Sequence, residues 1–180
     1  MAGSLVQVDT FTISSAVSSV IIGGGSSGSS SYNFAINTDD IYVLYYHNLY
    51  MSNDGATAGM RFTVSGSADT SSNYDQAVNG MYSNQAFSKG GNVNLSGLTN
   101  YGMGTTVQES QCGMWYLYNF NNSSEYSITS QDMINITESP EYVGAIKGAV
   151  LTVNQSCDGV QFYANSGNIA SGTWTLYKVV

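Results

Sequence analysis

The sequence predicts an all-β protein, an antiparallel β-sandwich of jelly-roll-like type with about ten strands. Three observations lead to this prediction. Apolar and polar side chains alternate along short runs, turn-forming residues separate these runs, and no stretch longer than about ten residues has helical periodicity. Because 180 residues suit one domain, we expect a single β-sandwich domain over residues 1–180. Residues 1–15 are predicted to be an extended N-terminal arm or an edge strand.

Five runs alternate with a period of two, which is typical of strands with one buried face. In chain order, their apolar members are Tyr32, Phe34 and Ile36; Met60, Phe62 and Val64; Met114, Tyr116, Tyr118 and Phe120; Val160, Phe162 and Ala164; and Trp174 and Leu176. In the third run, Trp115 and Leu117 occupy the opposite face. We therefore expect each strand to pack one face and to turn the other toward water or a neighbouring chain.

Two further runs, residues 41–51 and 143–153, are apolar on both faces. A strand of this kind is buried on both sides. Both runs are therefore expected to be central strands, either in the sandwich core or against another subunit. Residues 66–92 have the weakest pattern and predict a long loop or a short helical turn around Tyr74 to Met81.

Turn signals separate the runs. Asn53-Asp54-Gly55 predicts a tight turn, because Asn and Gly tolerate a positive φ angle. Gly23, Gly25 and Gly28 match the G-x-G-x-x-G spacing of dinucleotide-binding proteins. That motif requires a helix to begin at the glycines, whereas a strand pattern follows here, so we interpret the segment as a loop.

Composition excludes several classes of protein. The chain has twelve acidic and four basic side chains, a formal net charge of −8, and only 9% charged residues. Four cations cannot neutralise a nucleic-acid backbone, and no apolar run approaches the roughly 20 residues that cross a bilayer. We therefore expect no nucleic-acid partner and no membrane insertion. The first four residues, MAGS, predict no secretory signal.

Histidine and cysteine content argues against catalysis. His47 is the only histidine, and its apolar run predicts a packed or interface side chain rather than a catalytic base. Cys112 and Cys157 are too few for a disulfide framework. Two free thiols are favoured, and a bridge between them is the alternative. Without enough ligands for zinc we expect no cofactor and no enzymatic activity.

Few charged residues have a candidate role. Asp39, Asp40 and Asp54 offer oxygens of the kind that Ca²⁺ prefers, although solvated turns are the simpler interpretation and no metal is predicted. Neighbouring strand residues point to opposite faces, which argues against Asp39 and Asp40 acting as a hydrolase pair. Arg61, the only arginine, is expected to form a structural ion pair with a carboxylate.

Tyrosine is the most informative residue type. The chain has fourteen Tyr, against six Phe and two Trp. A tyrosine presents a large apolar ring with a polar tip, which suits cores, interfaces and sugar-binding surfaces. We expect most of these rings in the core and others at a subunit interface. The candidates for core or interface are Tyr42, Tyr45, Tyr46, Tyr50, Tyr116, Tyr118, Trp174 and Tyr177.

Three segments resemble a known group of proteins when they are taken together. They are residues 19–22 with the glycine loop after them, residues 39–64 with the Asn53-Asp54-Gly55 turn, and residues 171–177. In this order they resemble small β-sandwich virion proteins of tailed bacteriophages, especially marine ones, which are capsid decorations, fibres or tail-tip knobs. The resemblance implies a sandwich fold and trimers, and it carries over no catalytic residue.

The expected function is that of a non-enzymatic bacteriophage virion protein, exposed on the particle as a capsid decoration or cement protein, or as a fibre or tail accessory subunit. Its partners would be its own copies in a homotrimer and the major capsid or tail proteins, in a virion assembled in the host cytoplasm. The alternative is a module at a tail fibre tip that binds a receptor or host-surface glycan. That alternative predicts exposed rings among Tyr74, Tyr82, Tyr101 and Trp115.

Overall fold

The structure is a computed structural model that describes residues 3–23, 31–32, 41–84 and 86–180. Two sheets pack face to face, which confirms the predicted β-sandwich. Fourteen strands lie within the described residues, more than the ten that the pattern predicts. The excess comes partly from two-residue strands, which are too short to produce a readable alternation.

The larger sheet has eight strands. In spatial order these are β1 (Leu5–Thr12), β14 (Ile169–Val179), β4 (Tyr42–Met51), β10 (Gln111–Tyr118), β11 (Ile128–Ile136), β12 (Tyr142–Leu151), β7 (Tyr74–Tyr82) and β8 (Phe87–Leu95). All of its neighbouring strands are antiparallel. Strand β1 is the edge strand that was one of the two expectations for the N-terminal residues.

The smaller sheet is built around β5 and β13. In spatial order it contains β3 (Ser31–Tyr32), β2 (Ser19–Gly23), β13 (Gly159–Ala164), β5 (Ala56–Val64) and β6 (Ser67–Ala68). A further strand, β9 (Leu98–Met103), also pairs with β5. A single 3-10 turn, Val107–Glu109, leads from β9 into β10 in the described part of the chain.

The core lies between the two sheets and is rich in aromatic rings. The largest fully buried side chains are Trp115, Trp174, Tyr42, Tyr46, Tyr74, Phe62, Phe120 and Phe162. Phe62 and Phe120 meet edge to face with their centroids 4.7 Å apart, and Phe162 lies 5.4 Å from Trp174. Burying a ring of this size contributes about 2–3 kcal/mol, so these side chains are the main link between the sheets.

The prediction of a loop or helical turn within residues 66–92 is wrong. Strands β7 and β8 form a hairpin there. On β7 the buried positions are occupied by Tyr74, Gln76 and Gly80, so a polar and a side-chain-free residue hide the alternation. Strand β8 is an edge strand whose side chains are mostly exposed, and it therefore has no apolar face to detect.

The second apolar run is covered on one face only within this chain. On β12, Val143, Ala145 and Lys147 point into the sandwich, whereas Tyr142 and Ile146 are 56% and 58% exposed. Burial of this strand on both faces is therefore wrong for the single chain. The alternative that another subunit covers it stays a prediction. The first run, on β4, is central in its sheet as expected, between β14 and β10. Its outward Tyr45 and His47 are exposed, so burial on both faces is wrong for this run as well.

Candidate functional sites

We use the term outer face for the side of the larger sheet that points away from the smaller sheet. Many exposed apolar side chains of the described residues lie on it. They are Tyr45, Met81, Phe87, Val93, Ile128, Ile134, Tyr142 and Ile146. Monomeric proteins rarely expose apolar patches of more than a few hundred Å² unless the patch has a role.

Strand register makes the outer face continuous. Tyr45 of β4 pairs with Met114 of β10, Met114 pairs with Asp132 of β11, and Asp132 pairs with Ile146 of β12. Directly opposed side chains on neighbouring strands are about 5 Å apart. The apolar side chains of four adjacent strands are therefore close neighbours, with Asp132 as the one acidic residue in this row.

Two shallow apolar grooves cross the outer face. One has a volume of about 430 Å³ and is lined by Tyr45, Met114 and Ile134, among others. The second, of about 420 Å³, lies between Ile128 and Val93 over a floor that includes glycines. In that floor, a Cβ added at Gly148 would meet no atom within 4 Å. The outer face therefore has both protruding side chains and hollows.

The structure separates the predicted core or interface residues into buried rings, rings on the outer face, and Tyr50 between them. Three of the rings are buried in the core, namely Tyr42, Tyr46 and Trp174. Four others lie on the outer face, namely Tyr45, Tyr116, Tyr118 and Tyr177. The Tyr45 and Tyr177 rings meet edge to face at 5.6 Å, and those of Tyr116 and Tyr118 stack at 6.1 Å. Tyr50 is half-buried near the end of β4.

Arg61 has partners other than the predicted carboxylate. Its guanidinium lies 3.9 Å from the centroid of the Tyr163 ring, and its Nε donates to the Ser96 carbonyl oxygen at 2.7 Å. Nη1 is 3.5 Å from Oε1 of Gln161. No acidic residue in the described ranges pairs with it, because a ring and a carbonyl satisfy the guanidinium instead.

Within the described residues, the candidate calcium, thiol and histidine positions do not form a reactive cluster. Asp39 and Asp40 lie outside the described residues. Among residues that are described, no group of three or more His, Cys, Asp or Glu side chains could hold a metal ion, and this includes Asp54. Cys112 and Cys157 are free, as predicted. His47 is exposed on the outer face opposite Thr173, rather than packed within the chain.

A polar cluster inside the sandwich was not predicted. The Tyr46 hydroxyl donates to Oε1 of Gln111 at 3.0 Å and accepts a hydrogen bond from Nε2 of Gln131 at 2.7 Å. Nδ2 of Asn100 also donates to Gln111, at 3.1 Å. These four side chains tie strands β4, β9, β10 and β11 together. In the sequence, the only sign of this cluster is a polar residue, such as Gln131 on β11, at a position of an alternating strand that points inward.

Lys147 is the charged member of this cluster. Its Nζ donates to Oδ1 of Asn100 at 2.8 Å and to the Thr99 carbonyl oxygen, and it lies 5.6 Å from the centroid of the Trp115 ring. The side chain is only 2% exposed. Burial disfavours the ammonium form and lowers the pKa of Lys147 to about 7.

A small polar cleft opens from Lys147 between the β7–β8 hairpin and β9. Its volume is about 160 Å³, and its lining includes Gln76, Ser88, Asn92, Tyr101 and Lys147. The hydroxyl of Tyr101 is buried beside the side chains of Ser88 and Tyr82. The cleft is therefore lined by the buried Lys147 amine and the Tyr101 hydroxyl.

Gly80 makes room for this arrangement. A Cβ at Gly80 would overlap the Tyr101 hydroxyl, so only glycine lets the tyrosine lie against β7. The Tyr101 ring meets the Tyr82 ring edge to face at 6.0 Å. Of the four rings that a sugar-binding function would expose, Tyr82 and Tyr101 are half-buried, whereas Tyr74 and Trp115 are completely buried.

Another concavity of the described residues, about 560 Å³, lies beside the turn that contains Asp69. The Asp69 carboxylate accepts hydrogen bonds from Nε2 of Gln155 at 2.6 Å and from the Ser71 amide at 2.8 Å. Burial alone would raise the pKa of Asp69, but these hydrogen bonds outweigh it, and the pKa is lowered. The carboxylate is thus engaged in holding the turn.

No protein family, curated protein or solved structure matches this chain. In the described part of the chain there is no helix long and apolar enough to span a bilayer.

Proposed function

We propose that this chain is a non-enzymatic structural protein of a bacteriophage virion, exposed on the particle as a capsid decoration or as a fibre or tail accessory subunit. The observation that carries the proposal is the continuous apolar outer face of the larger sheet. A continuous apolar face on a folded domain favours assembly with other chains over a monomeric state. The resemblance of three sequence segments to virion proteins supports the location.

Copies of this chain are the partners that the outer face fits best. Each copy has a formal net charge of −8, so two copies repel each other unless they meet where charge is sparse. The outer face offers apolar rings and aliphatic side chains, with Asp75, Lys89 and Asp132 as its few charged residues. Closed rotational symmetry would cover these identical patches, and a homotrimer is the state we propose.

The oligomeric state tests this assembly. Size-exclusion chromatography with light scattering should give the mass of a trimer for the wild-type chain. Ile146→Lys places a charge at the centre of the outer face without disturbing the core, because Ile146 is 58% exposed, and it should give a monomer. Val107→Lys is the matched control, since Val107 is 50% exposed but lies in the 3-10 turn. A wild-type monomer, or an Ile146→Lys trimer, would contradict the proposal.

Purified particles test the virion location. Mass spectrometry of phage particles made with the intact gene should detect the chain in a fixed ratio to the major capsid or tail proteins. Particles made without it should lack a defined density in cryo-electron micrographs. Adding the purified chain should restore that density, and adding Ile146→Lys should not. Particles with identical composition and density in both preparations would refute the virion role.

A second candidate function is a receptor-binding or glycan-binding module at a tail fibre tip. The specific observation in its favour is the polar cleft, in which the half-buried Tyr101 lies beside amide and hydroxyl side chains and packs against the Tyr82 ring. A glycan array tests it, because a tip module should bind a defined set of host glycans above background. An array without any signal would exclude this role.

A further inference from the structure

Lys147 is a buried amine with no anion beside it among the described residues. Its two hydrogen-bond acceptors in the protein, the Thr99 carbonyl oxygen and Oδ1 of Asn100, are both neutral. No carboxylate in the described ranges lies within ion-pair distance of it. A buried charge is costly unless it is paired, and so an arrangement of this kind suits an anion that comes from outside.

The charged side chains on the strands around Lys147 point to the outer face, away from the cleft. Strand register places Asp75, Lys89 and Asp132 on the outer face, while Lys147 points inward beside Gln131 and Val78. Besides Lys147, the titratable group that lines the cleft is Tyr101, and the Tyr82 ring packs against it. An incoming anion would therefore meet no repelling carboxylate within the described part of the cleft.

The cleft also has unused hydrogen-bonding capacity. The Tyr101 hydroxyl lines the cleft beside Ser88 and Tyr82. Lys147 uses two acceptors, and an ammonium group has three donors. Ser88 and Asn92 add a hydroxyl and an amide to the lining. Lys147 and Tyr101 line the same cleft, so a ligand bound there can accept hydrogen bonds from both.

We propose that the cleft between the β7–β8 hairpin and β9 binds a small ligand through its carboxylate, which accepts hydrogen bonds from Lys147 and Tyr101. One cation matches one monoanion. The hydroxyl and amide groups of the lining match the hydroxyls of a polyol, and the volume of about 160 Å³ limits the bound part to one small unit. An acidic sugar combines these properties, and a free small carboxylate shares its recognition chemistry.

This inference rests on the second candidate function for its biological setting and does not depend on the assembly proposal. The inference narrows the ligands of the cleft to carboxylates. A glycan-binding function is also compatible with neutral sugars, so the experiment has to distinguish a carboxylate ligand from a neutral sugar.

Isothermal titration calorimetry of the full chain tests the ligand class. The probes are sodium acetate, sodium glucuronate and the neutral methyl ester of glucuronic acid. We expect the glucuronate to bind with a millimolar dissociation constant, at least about tenfold tighter than its methyl ester. Equal affinities for acetate and glucuronate would identify the free carboxylate as the source of recognition, and tighter glucuronate binding would identify the acidic sugar.

Substitutions in the cleft test the residues. Lys147→Met should abolish glucuronate binding, and Tyr101→Phe, which keeps the ring, should weaken it about fivefold by removing one hydrogen bond. Lys89→Met is the matched control, because Lys89 lies on the outer face of β8 and its loss should leave the affinity unchanged. If Lys147→Met fails to fold, as judged by circular dichroism, the comparison of acid and ester on the wild-type chain decides the matter.

The affinity should also follow the protonation of Lys147. Since only the ammonium form pairs with a carboxylate, binding should weaken about tenfold for each pH unit above the pKa of the free protein.

Three results would overturn the inference: equal binding of acid and ester, undiminished binding by Lys147→Met, or no binding of any carboxylate. Binding of neutral sugars alone would overturn the inference and leave the glycan-binding function standing. If neither this titration nor the glycan array detects binding, both the inference and the glycan-binding function are excluded.

Discussion

Lys147 shows how one side chain can set both the stability and the chemistry of a region. It stands on an alternating strand where the pattern calls for an apolar residue, between Ala145 and Ala149. Its charge is removed from water, and the compensation within the described residues consists of neutral acceptors. The consequence is a group whose protonation is coupled to folding near neutral pH.

The first prediction concerns the pH dependence of stability. The pKa of Lys147 is about 7 in the folded protein and about 10.4 in an unfolded chain. Between these values the unfolded chain binds more protons, so the free energy of unfolding should rise with pH, by up to about 1.4 kcal/mol per pH unit. Below the lower value the full cost of burying the ammonium is present and this contribution becomes constant.

Lys147→Met should remove this slope. Urea denaturation from about pH 7 to pH 8 measures it, a window that stays below the titration of Cys157, Tyr46 and Tyr74, whose pKa values burial raises. Lys89→Met, on the outer face, should retain the wild-type slope. A wild-type free energy of unfolding that falls with pH over this window would show that Lys147 is not the controlling group.

The second prediction concerns the fit between Gly80 and Tyr101. Gly80→Ala places a Cβ on the Tyr101 hydroxyl, and overpacking of this kind costs about 1–3 kcal/mol. In the double variant with Tyr101→Phe, part of this loss should be recovered, since the overlapping oxygen is gone. Chemical denaturation of the four proteins in the cycle measures the coupling.

Gly148→Ala is the control for that cycle. Its Cβ would meet nothing within 4 Å, so it should leave stability unchanged or raise it slightly by restricting the unfolded chain. Equal losses from Gly80→Ala and Gly148→Ala would mean that a general cost of replacing glycine in a strand, and not the Tyr101 contact, is responsible.

At the scale of elements, the edges of the larger sheet are protected in different ways. Strand β1 covers the edge of β14, and the Phe11 ring stacks on Trp174 at 6.1 Å. On the other face of the same pair, Thr10 and Thr12 are joined to Thr175 and Thr173 through their hydroxyls. Strand β8 forms the opposite edge and is short of apolar side chains and rich in glycine and asparagine.

The third prediction follows from the pairing of β1 with β14. Deleting residues 2–12 should expose the unpaired backbone of β14, which is a template for pairing with other chains. We expect concentration-dependent aggregation in dynamic light scattering, together with a red-shifted tryptophan emission as Trp174 loses its stacked neighbour. Phe11→Ala alone should shift the emission and leave the chain dispersed. A deletion variant that stays as dispersed as the wild type would show that β1 has no protective role.

At the scale of the whole molecule, assembly competes with electrostatic repulsion. Each chain has twelve acidic and four basic residues, whereas the proposed contact is mainly apolar. The contact is therefore attractive at short range, and the copies repel each other at longer range.

The fourth prediction is that salt strengthens the proposed trimer. Screening reduces the repulsion between copies and leaves the apolar contact intact, so the dissociation constant in analytical ultracentrifugation should fall as sodium chloride is added. Ile146→Lys should remain monomeric at every salt concentration. Dissociation of the wild-type trimer by salt would show that ion pairs, rather than apolar contacts, hold it together.

The alternation of side chains carried most of the information about the elements. It placed Met60, Phe62 and Val64 on one face and separated Trp115 from Tyr116 on β10, because burial of one face imposes a period of two. Which of the two β10 faces points inward came from the structure. The alternation failed at β7 and β8, where Gln76 and Gly80 take inward positions. An amide that is hydrogen-bonded to a neighbouring strand is as acceptable there as an aliphatic group, yet a polarity pattern cannot distinguish it from an exposed one.

The candidate sites were less predictable than the strands. Tyr45 and Tyr46 are neighbours in sequence, and each was equally a core or an interface candidate. Their separation into the outer face and the polar cluster depends on which sheet lies opposite β4. Arg61 likewise found an aromatic ring and a backbone carbonyl that come from distant parts of the chain.

The sequence by itself determined the class of fold and its mainly antiparallel strands, since these depend on local periodicity and composition. Only the tertiary structure decided that β4 lies between β14 and β10, that the apolar outer face is continuous, and that Lys147 meets Asn100 and Tyr101 in one cleft. These features depend on strand order and register. Side chains far apart in the chain become neighbours only when non-local backbone pairing brings their strands together, and no local pattern encodes that pairing.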